Sequence, residues 1–328
     1  MLSGWTRANA SPFGDQRLSS VVPRPQVADL AKIRERSDRV RVARGGRHLS
    51  PAREAKFGAS FSALGKLAYD GAQVSANVLD LQSGETLLSI DDRIVLPTAS
   101  IGKVLLLIEV SARLTGRDFS GYGILDKTPR DLVGDSGVWQ HMQAPALPVA
   151  DLATLVGATS DNLATNLLLG RIGLEAVRTR TEALGLTRTA LLDVVRDSRG
   201  PDDAPQLSVG STAELSWLFG ALARGEVVDP GTSQRVMGWL SLNCDLSMVA
   251  SAFGLDPLSH RLPDHHTLLV NKTGTDEGVR AEAGALRGQR AAVSYSVSIQ
   301  FDDNTLTTRL RVLDAMRTVG EELLEYVH

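Results

Sequence analysis

The feature that most constrains the fold is a pair of strand-like segments placed far apart in the chain. Residues 73–81 (QVSANVLDL) alternate apolar and polar side chains, and residues 291–301 (AAVSYSVSIQF) form a second such segment near the carboxyl end. A period of two residues is typical of a β-strand with one buried face. The residues between them are mostly helical in pattern. We therefore predict an antiparallel sheet that N- and C-terminal segments complete, with an all-helical insert against it, in an α/β (α+β) sandwich.

Local patterns predict the remaining elements. A Ser-Gly pair at residues 83–84 indicates a hairpin turn, and Gly225 after a helical pattern indicates a helix end. The predicted helices are residues 61–69, 98–114, 149–185 in pieces with breaks near Gly157 and Gly173, 212–224 and 305–326, and the other predicted strands are residues 85–90 and 268–272.

Residues 1–56 differ from the rest of the chain. They are rich in Arg, Pro, Ser and Gly, and residues 32–56 hold nine Lys or Arg against three acidic residues. We interpret them as a flexible arm with one short helix near residues 27–36; a basic binding tail and a mis-assigned start codon are the alternatives. We expect one domain at residues 57–328, with an α/β part (57–115 and 265–328) and a helical part (116–264).

The composition limits the possible functions. The 328 residues are 43% hydrophobic with a net charge of −3, so nothing global calls for nucleic acid or a membrane surface as a partner. No run approaches the roughly 18 apolar residues of a membrane helix, and no secretory signal is evident. We expect a cytoplasmic protein, or a secreted one if the start is mis-assigned. The single cysteine, Cys244, excludes an internal disulfide and a thiolate metal site, and a packed residue is favoured over a nucleophile.

The first candidate motif is Ser100-Ile101-Gly102-Lys103. If Thr98 or Ser100 opens the helix, Ser100 and Lys103 are three residues apart and share one face. A serine hydroxyl is a weak nucleophile that needs a neighbouring base, and a desolvated lysine can act as one. The N-terminus of the helix adds free backbone N–H groups near the developing oxyanion. Alone, this short motif is weak evidence.

The second motif is Ser160-Asp161-Asn162, before a helical segment. A hydroxyl here can relay a proton to a leaving group, and an amide can hold a substrate carbonyl. The structural alternative is an N-cap, with Ser160 or Asp161 starting the helix. Both interpretations can hold for the same residues.

The third motif is Lys272-Thr273-Gly274, at the end of the apolar strand TLLVN. Glycine allows a substrate backbone to approach the strand closely, and Lys272 and Thr273 offer a charge and a hydroxyl to a carboxylate. A simple turn at the end of the strand is the alternative. Each motif alone occurs by chance, but the order, spacing and element type of the three together are selective.

The three motifs together resemble the S-x-x-K, S-D-N and K-T-G signature of class A β-lactamases and penicillin-binding proteins. The resemblance covers about residues 59–328 and includes the stretches LDLQSGETLLSIDDRIVLPTASIGKVLLL, SDNLATNLLLGRIG and KTGTDEGVRAEAGAL. It implies that Ser100 is acylated, that Lys103 assists its deprotonation and that Ser160 shuttles the proton. It also implies an oxyanion hole made of the backbone N–H groups of Ser100 and Thr275.

The resemblance implies binding roles as well. Asn162 would contact the side-chain amide of the substrate, and Lys272 and Thr273 would receive its carboxylate beside Gly274. Arg280 fits the family's carboxylate-supporting arginine. Trp139 is a candidate for the mouth of the pocket, with ordinary packing as the alternative. The expected partner is a small acyl substrate with a carboxylate, and no cofactor or metal is implied.

One segment departs from the family pattern. Class A β-lactamases carry a glutamate on the loop between the second and third motifs that activates the deacylating water. Alignment on Leu192-Asp193 places Arg196 at that position, and the loop is about three residues short. Asp197 is the nearest carboxylate, and a solvated or salt-bridged loop residue is the favoured interpretation of it over a base.

The main hypothesis is therefore an acyl-serine hydrolase with a class A β-lactamase fold and impaired or altered deacylation. It would act on β-lactams or on related amides and esters. The rival hypothesis is a non-hydrolytic protein that binds β-lactam or acyl ligands and retains the pocket without turnover.

Overall fold

The computed structural model describes residues 56–117, 119–129 and 131–328, so the predicted arm and its helix, apart from Lys56, lie outside the described residues. The strands are β1 (Gln73–Asp80), β2 (Thr86–Ile90), β3 (Leu96–Pro97), β4 (Ile124–Asp126), β5 (Ala146–Pro148), β6 (Ala190–Leu191), β7 (Ser208–Gly210), β8 (Leu268–Asp276), β9 (Val279–Arg287) and β10 (Ala292–Gln300). The α-helices are α1 (Gly58–Tyr69), α2 (Lys103–Gly116), α3 (Val149–Thr159), α4 (Asn162–Ile172), α5 (Leu174–Ala183), α6 (Thr212–Arg224), α7 (Pro230–Leu240) and α8 (Leu306–Val327).

The main sheet has five antiparallel strands in the order β2-β1-β10-β9-β8. The segments near the two ends of the described chain are neighbours in it, since Gln73 of β1 pairs with Gln300 of β10. This arrangement and the helices against it confirm the predicted fold class. Two small sheets have the orders β3-β7-β6 and β4-β5; the first pairs Leu96–Pro97 with the segment before α6, and the second joins two strands between α2 and α3.

The sheet separates two apolar cores. On one face, Leu269, Tyr295 and Val297 pack with residues of α1 and α8. On the other face, small residues such as Ala281 and Ala283 of β9 join a larger core that includes α2, α4, α6 and α7. Small side chains on this face let helices approach the sheet closely.

Helix α2 is the centre of the larger core. Every residue from Lys103 to Ser111 is buried, because the run VLLLIEV leaves the helix without a polar face. Its one carboxylate, Glu109, accepts hydrogen bonds from Arg113 Nε at 2.8 Å and Arg180 Nε at 2.9 Å. The nucleophile motif is thus attached to a helix whose first nine residues are all buried.

Several predicted boundaries differ from the observed ones. The predicted break near Gly157 is wrong: α3 runs through it, and glycine is needed because a Cβ atom there would lie 2.6 Å from Trp239 O. The break comes instead at Ser160, whose φ is +56°. Strand β8 continues beyond residue 272 to Asp276, since β9 pairs with it along its whole length.

Strand β9 and helix α7 were not predicted. Helix α7 has a recognisable start, because the Asp229 side chain caps it with a hydrogen bond from Thr232 N at 2.8 Å and Pro230 follows at its first position. The predicted division into α/β and helical parts stays a prediction. None of the described helices has the length and apolar character that a membrane crossing requires.

Candidate active site

Ser100 lies in a 3₁₀ turn, Ala99–Gly102, immediately before α2. The turn is strained, because Ala99 has a φ of +46°, which a residue with a Cβ atom rarely adopts. Strand β7 holds it: Ser208 Oγ donates to Ala99 O at 2.6 Å, and a Cβ atom on Gly102 would collide with the Ser208 side chain. Ser100 is partly exposed at the end of this turn. The predicted helix thus starts as a 3₁₀ turn, with its α-helical part beginning at Lys103.

Lys103 is fully buried behind Ser100. Its Nζ donates to Ser160 O at 2.6 Å, to Asn162 Oδ1 at 2.6 Å and to Ser160 Oγ at 3.2 Å. Burial, with repulsion from Lys272 added, holds the pKa of the Lys103 amine well below its usual value, and Asp161 opposes the shift. Among the described residues, no hydrogen bond joins Lys103 Nζ to Ser100 Oγ. The amine is nevertheless fixed against the second motif with a bias toward its neutral form.

The second motif forms the junction between α3 and α4. Ser160 ends α3 in the left-handed conformation, and Asp161 is the N-cap of α4, accepting from Ala164 N at 2.9 Å. The N-cap interpretation is therefore confirmed for Asp161. The same carboxylate accepts from Val138 N at 2.8 Å and Trp139 N at 2.9 Å, so it also fastens this segment to the start of α4.

Trp139 does not lie at the mouth of the pocket. Its side chain is fully buried in the larger core, and its Nε1 donates to Ala144 O at 3.1 Å. The ammonium of Lys127 lies over the ring, 5.4 Å from its centroid. The substrate-binding interpretation of Trp139 is corrected to the packing alternative, because the backbone contact with Asp161 draws the residue into the core.

Asn162 joins the buried lysine to the rim of the cleft. While its Oδ1 accepts from Lys103, its Nδ2 donates to Gly134 O at 2.8 Å. Gly134 N in turn donates to Asp197 Oδ1 at 2.7 Å. The amide that was expected to contact substrate is thus also the link between Lys103 and the loop on the other side of the cleft.

The third motif lies within β8. Lys272 is fully buried, and its Nζ donates to Thr273 O at 2.7 Å. Burial lowers the pKa of Lys272 to about 8, against the opposing effect of Asp245 and Glu282. Gly274 is required by a contact within the protein, since a Cβ atom there would collide with Thr98 O. The glycine brings β8 against the nucleophile turn, which differs from the expected approach of a substrate backbone.

Residues of the first two motifs, with Thr275 and Arg280, meet in one cleft of about 920 Å³. Ser100, Asn162, Thr275 and Arg280 line it, and a smaller adjoining cavity of about 380 Å³ is lined by Ser100, Ser160, Thr273 and Thr275. The two buried lysines lie behind these surfaces rather than on them. We call Ser100, Lys103, Ser160 and Asn162 the nucleophile wall.

Arg280 lies at the open end of the cleft. Its Nη1 donates to Asp276 O at 2.9 Å and to Val279 O at 2.7 Å. Partial burial and the nearby Arg309 lower the pKa of Arg280, with Asp245 and Asp276 opposing. This guanidinium has no ion pair among the described residues, so it is available to an anionic group in the cleft.

Residues 193–199, which we call the loop wall, face the nucleophile wall. Asp193 accepts from Arg196 Nε at 2.8 Å and Arg199 Nη1 at 2.7 Å. Burial alone raises the pKa of Asp193, but these hydrogen bonds and the one from Val194 N bring it below its usual value. Arg196 also pairs with Asp203 at 3.0 Å. The residue at the expected glutamate position is therefore a cation held between two carboxylates.

One residue of the loop wall's support was missed. Asn166, one helical turn after Asn162, donates from Nδ2 to Val195 O at 2.8 Å and accepts from Val195 N at 2.8 Å. This pair of bonds fastens the loop to α4. The four-residue spacing from Asn162 was the available indication, because residues i and i+4 share a helix face. A buried carboxylate beside the third motif, Glu282, was also missed.

Comparisons with known proteins agree with this geometry. The model of a family described as the Beta-lactamase enzyme family matches residues 58–327. A β-lactamase from Sphaerobacter thermophilus is similar in structure, with a TM-score of 0.72 and 20% identity, over 83% of this chain and 97% of that one. PBP-A gives 0.69 and 17% over 82% and 95%, and a class A β-lactamase from Mycobacterium abscessus gives 0.68 and 17% over 81% and 98%. No curated protein sequence matches.

Proposed function

The chain is a serine hydrolase that belongs to the β-lactamase enzyme family, and we propose that it works through an acyl-enzyme at Ser100. The substrates are β-lactams or related amides and esters that carry a carboxylate. We further propose that release of the acyl group by water is slow or is replaced by transfer to another acceptor. The observation that carries the proposal is the buried, hydrogen-bonded amine of Lys103 behind Ser100, in a cleft of about 920 Å³.

In the acylation step, the neutral amine of Lys103 takes the proton from Ser100 as Oγ bonds to the substrate carbonyl carbon. The lowered pKa of Lys103 supports this role, because a lysine at its usual value is protonated at neutral pH. The backbone N–H groups of Ser100 and Thr275 receive the negative charge on the carbonyl oxygen.

Collapse of this intermediate breaks the bond to the leaving nitrogen or oxygen. Ser160 Oγ gives its proton to the leaving atom and regains one from Lys103, whose Nζ lies 3.2 Å away. The left-handed backbone of Ser160 supports this assignment, since it turns the residue out of α3 at the edge of the smaller cavity. The substrate carboxylate binds near Thr273, Thr275 and Arg280, with the charge of Lys272 behind them.

Deacylation needs a base for the incoming water, and the loop wall supports the proposal that none is well placed. Asp193 is bound by two arginines, and Asp197 accepts from Gly134 N at 2.7 Å. Arg196 is bound by Asp193 and Asp203, and its guanidinium has no lone pair that could accept a proton from water. The acyl-enzyme is therefore expected to persist.

The proposal is tested by incubating the protein with a fluorescent penicillin and with nitrocefin, following the adduct mass and the absorbance together. We expect a persistent adduct on Ser100 with little nitrocefin turnover, and no adduct in Ser100→Ala. Rapid turnover contradicts slow deacylation. Reversible occupancy with Ser100 unmodified favours the non-hydrolytic binding protein, and the absence of both binding and colour removes β-lactams and leaves esters to be tested.

A further inference from the structure

A carboxylate that the proposed reaction does not use is buried beside the third motif. Glu282 is fully buried on β9, in a strand of otherwise small or apolar buried residues. It accepts from Tyr295 OH at 2.7 Å, Asn271 Nδ2 at 2.8 Å and Ala250 N at 3.3 Å. A buried carboxylate with a donor from each of three elements is a costly arrangement, so it calls for a reason beyond filling the core.

The buried group on which the charge of Glu282 acts is Lys272 of the third motif. Glu282 pairs across the sheet with Thr273, the residue that follows Lys272. Lys272 is itself fully buried and forms no ion pair among the described residues. The negative charges of Asp245 and Glu282 both favour its ammonium form, against the effect of burial. The register places the side chains of Glu282 and Lys272 on opposite faces of the sheet, so the charge of Glu282 acts on the lysine through the strand and opposes the effect of burial.

A chain of side-chain amides connects the same carboxylate to the wall of the smaller cavity. Asn271, bound to Glu282, accepts from Asn243 Nδ2 at 2.9 Å, and Asn243 Nδ2 also donates to Asp245 O at 3.0 Å. Asn243 and Asp245 line that cavity together with Ser100. Every member of the chain from Asn243 to Glu282 is buried, which makes it stiff as well as polar.

We propose that Glu282 is a positioning residue for recognition of the substrate carboxylate. Its negative charge keeps Lys272 an ammonium, and its hydrogen bonds through Asn271 and Asn243 hold the cavity wall at Asp245. Glu282 touches no substrate and takes no proton in the reaction. The inference rests on the proposed function, because it takes Ser100 to be acylated by a substrate whose carboxylate binds near Thr273, Thr275 and Arg280, in front of the charge of Lys272.

The charges around this pair predict how recognition responds to pH. Burial raises the pKa of Glu282 to about 7, with Asp245 adding to the rise and Tyr295 and Asn271 opposing it. The pKa of Lys272 is about 8, and the positive charge of Lys272 helps to lower the pKa of Lys103 on α2. Above pH 7 an ionised Glu282 supports the ammonium of Lys272. Loss of the glutamate charge therefore lowers the pKa of Lys272 further, and carboxylate recognition fails at a lower pH.

The experiment compares a penicillin with its methyl ester, which lacks the carboxylate. The rate of adduct formation on Ser100 is measured for both by mass spectrometry between pH 6.5 and 9. In the unaltered protein we expect the acid to react at least ~10-fold faster than the ester at pH 7, as for a charge-assisted contact, with the preference declining above about pH 8. In Glu282→Gln we expect the preference to fall at least ~3-fold and its decline to start at lower pH.

Two further variants separate charge from shape. Glu282→Asp keeps the negative charge on a shorter side chain. A slower reaction with an intact preference for the acid supports the proposal, even if Glu282→Gln does not fold. Loss of the preference in Glu282→Asp overturns it. Glu109→Gln is the control, because it removes a buried carboxylate whose partners are Arg113 and Arg180 rather than residues around Lys272. We expect it to leave the preference for the acid unchanged.

The outcomes are distinct. If Glu282→Gln slows the acid and the ester equally, with an unchanged pH dependence, Glu282 has a structural role only and the inference is wrong. If the unaltered protein forms no adduct with either compound, the proposed acyl-enzyme fails first and the inference with it.

Discussion

The two walls of the cleft differ in what holds their charged groups. In the nucleophile wall, the buried amine of Lys103 is bound only by neutral oxygen atoms, those of Ser160 and Asn162. In the loop wall, the charged groups are held in ion pairs, since Arg196 pairs with Asp193 in the same wall and with Asp203 just beyond it. A lysine among neutral acceptors in a desolvated site can give up its proton, whereas paired ions are locked in their charged forms.

In the proposed reaction, this difference separates two steps. The nucleophile wall would remove a proton from Ser100, and the hydrogen bonds and ion pairs of the loop wall hold the loop in place. A shared scaffold links them, because Asn162 and Asn166 lie one helical turn apart on α4 and bind Gly134 and Val195 respectively. The same helix thus positions both Lys103, the base of the proposed acylation step, and the loop that is proposed to lack a base for deacylation.

The largest expected effect comes from removing the base of the nucleophile wall. Lys103→Arg replaces the neutral amine with a permanently charged guanidinium that cannot accept a proton, so we expect adduct formation on Ser100 to slow by about 10³-fold, within the range for loss of a general base. The measurement is the rate of adduct accumulation by mass spectrometry. Lys66→Arg, at an exposed position on α1, is the matched control. A Lys103→Arg rate within a few-fold of the unaltered protein means that another group takes the proton.

The second prediction concerns the rigidity of the nucleophile wall. Asp161→Ala orphans three backbone N–H groups, those of Ala164, Val138 and Trp139, in a buried site. We expect a loss on the order of 3 kcal/mol in the free energy of unfolding, measured in urea. Asp161→Asn keeps one acceptor oxygen and should lose less. A cost below about 1 kcal/mol for the alanine variant shows that water replaces the carboxylate.

Much of the fold was predictable where the apolar residues of a segment repeat with the period of a helix or of a strand. The helix at residues 212–224 with its end at Gly225 is confirmed in both bounds, since Ser211 caps it and Gly225 adopts a φ of +76°. Strand β9 escaped prediction because VRAEAGALR is buried on both faces except near its ends and mixes charged with small residues. Its buried Glu282 is stable there only through partners from three other segments, which no local pattern reveals.

The site was predictable as a set of residues but not as a geometry. Ser100, Ser160 and Lys272 could be identified because each belongs to a short motif at the predicted start of a helix or end of a strand. The partners of Lys103 could not, since Ser160 and Asn162 reach it from 57 and 59 residues away. For the same reason, the exposed or buried state of Trp139 depended on a hydrogen bond to Asp161, 22 residues along the chain.

The third prediction tests whether the loop wall lacks only a carboxylate. Arg196→Glu places one where Arg196 now stands, and we expect the acyl-enzyme to be lost at least ~10-fold faster, a part of the usual contribution of a general base. The rate is followed as disappearance of the adduct after excess penicillin is removed. Arg196→Gln removes the cation without adding a base and should release the adduct slowly. Equal rates for the two variants indicate that a base at this position cannot reach the bound acyl group.

The smallest expected effect distinguishes two roles for Asp197: a structural acceptor that holds Gly134 in place, or a base that activates water. Its carboxylate accepts from Gly134 N, and Gly134 O accepts from Asn162, which binds Lys103. If Asp197 is a structural acceptor, Asp197→Asn keeps an acceptor oxygen and should form the adduct at nearly the unaltered rate. Asp197→Ala should slow adduct formation about 3-fold, as loss of one exposed hydrogen bond predicts. If Asp197 were a base for water, both variants would instead retain the adduct longer without slowing its formation. Single-turnover measurement of adduct formation and adduct loss separates these cases. We expect the structural role, because the carboxylate already accepts a hydrogen bond from Gly134 N.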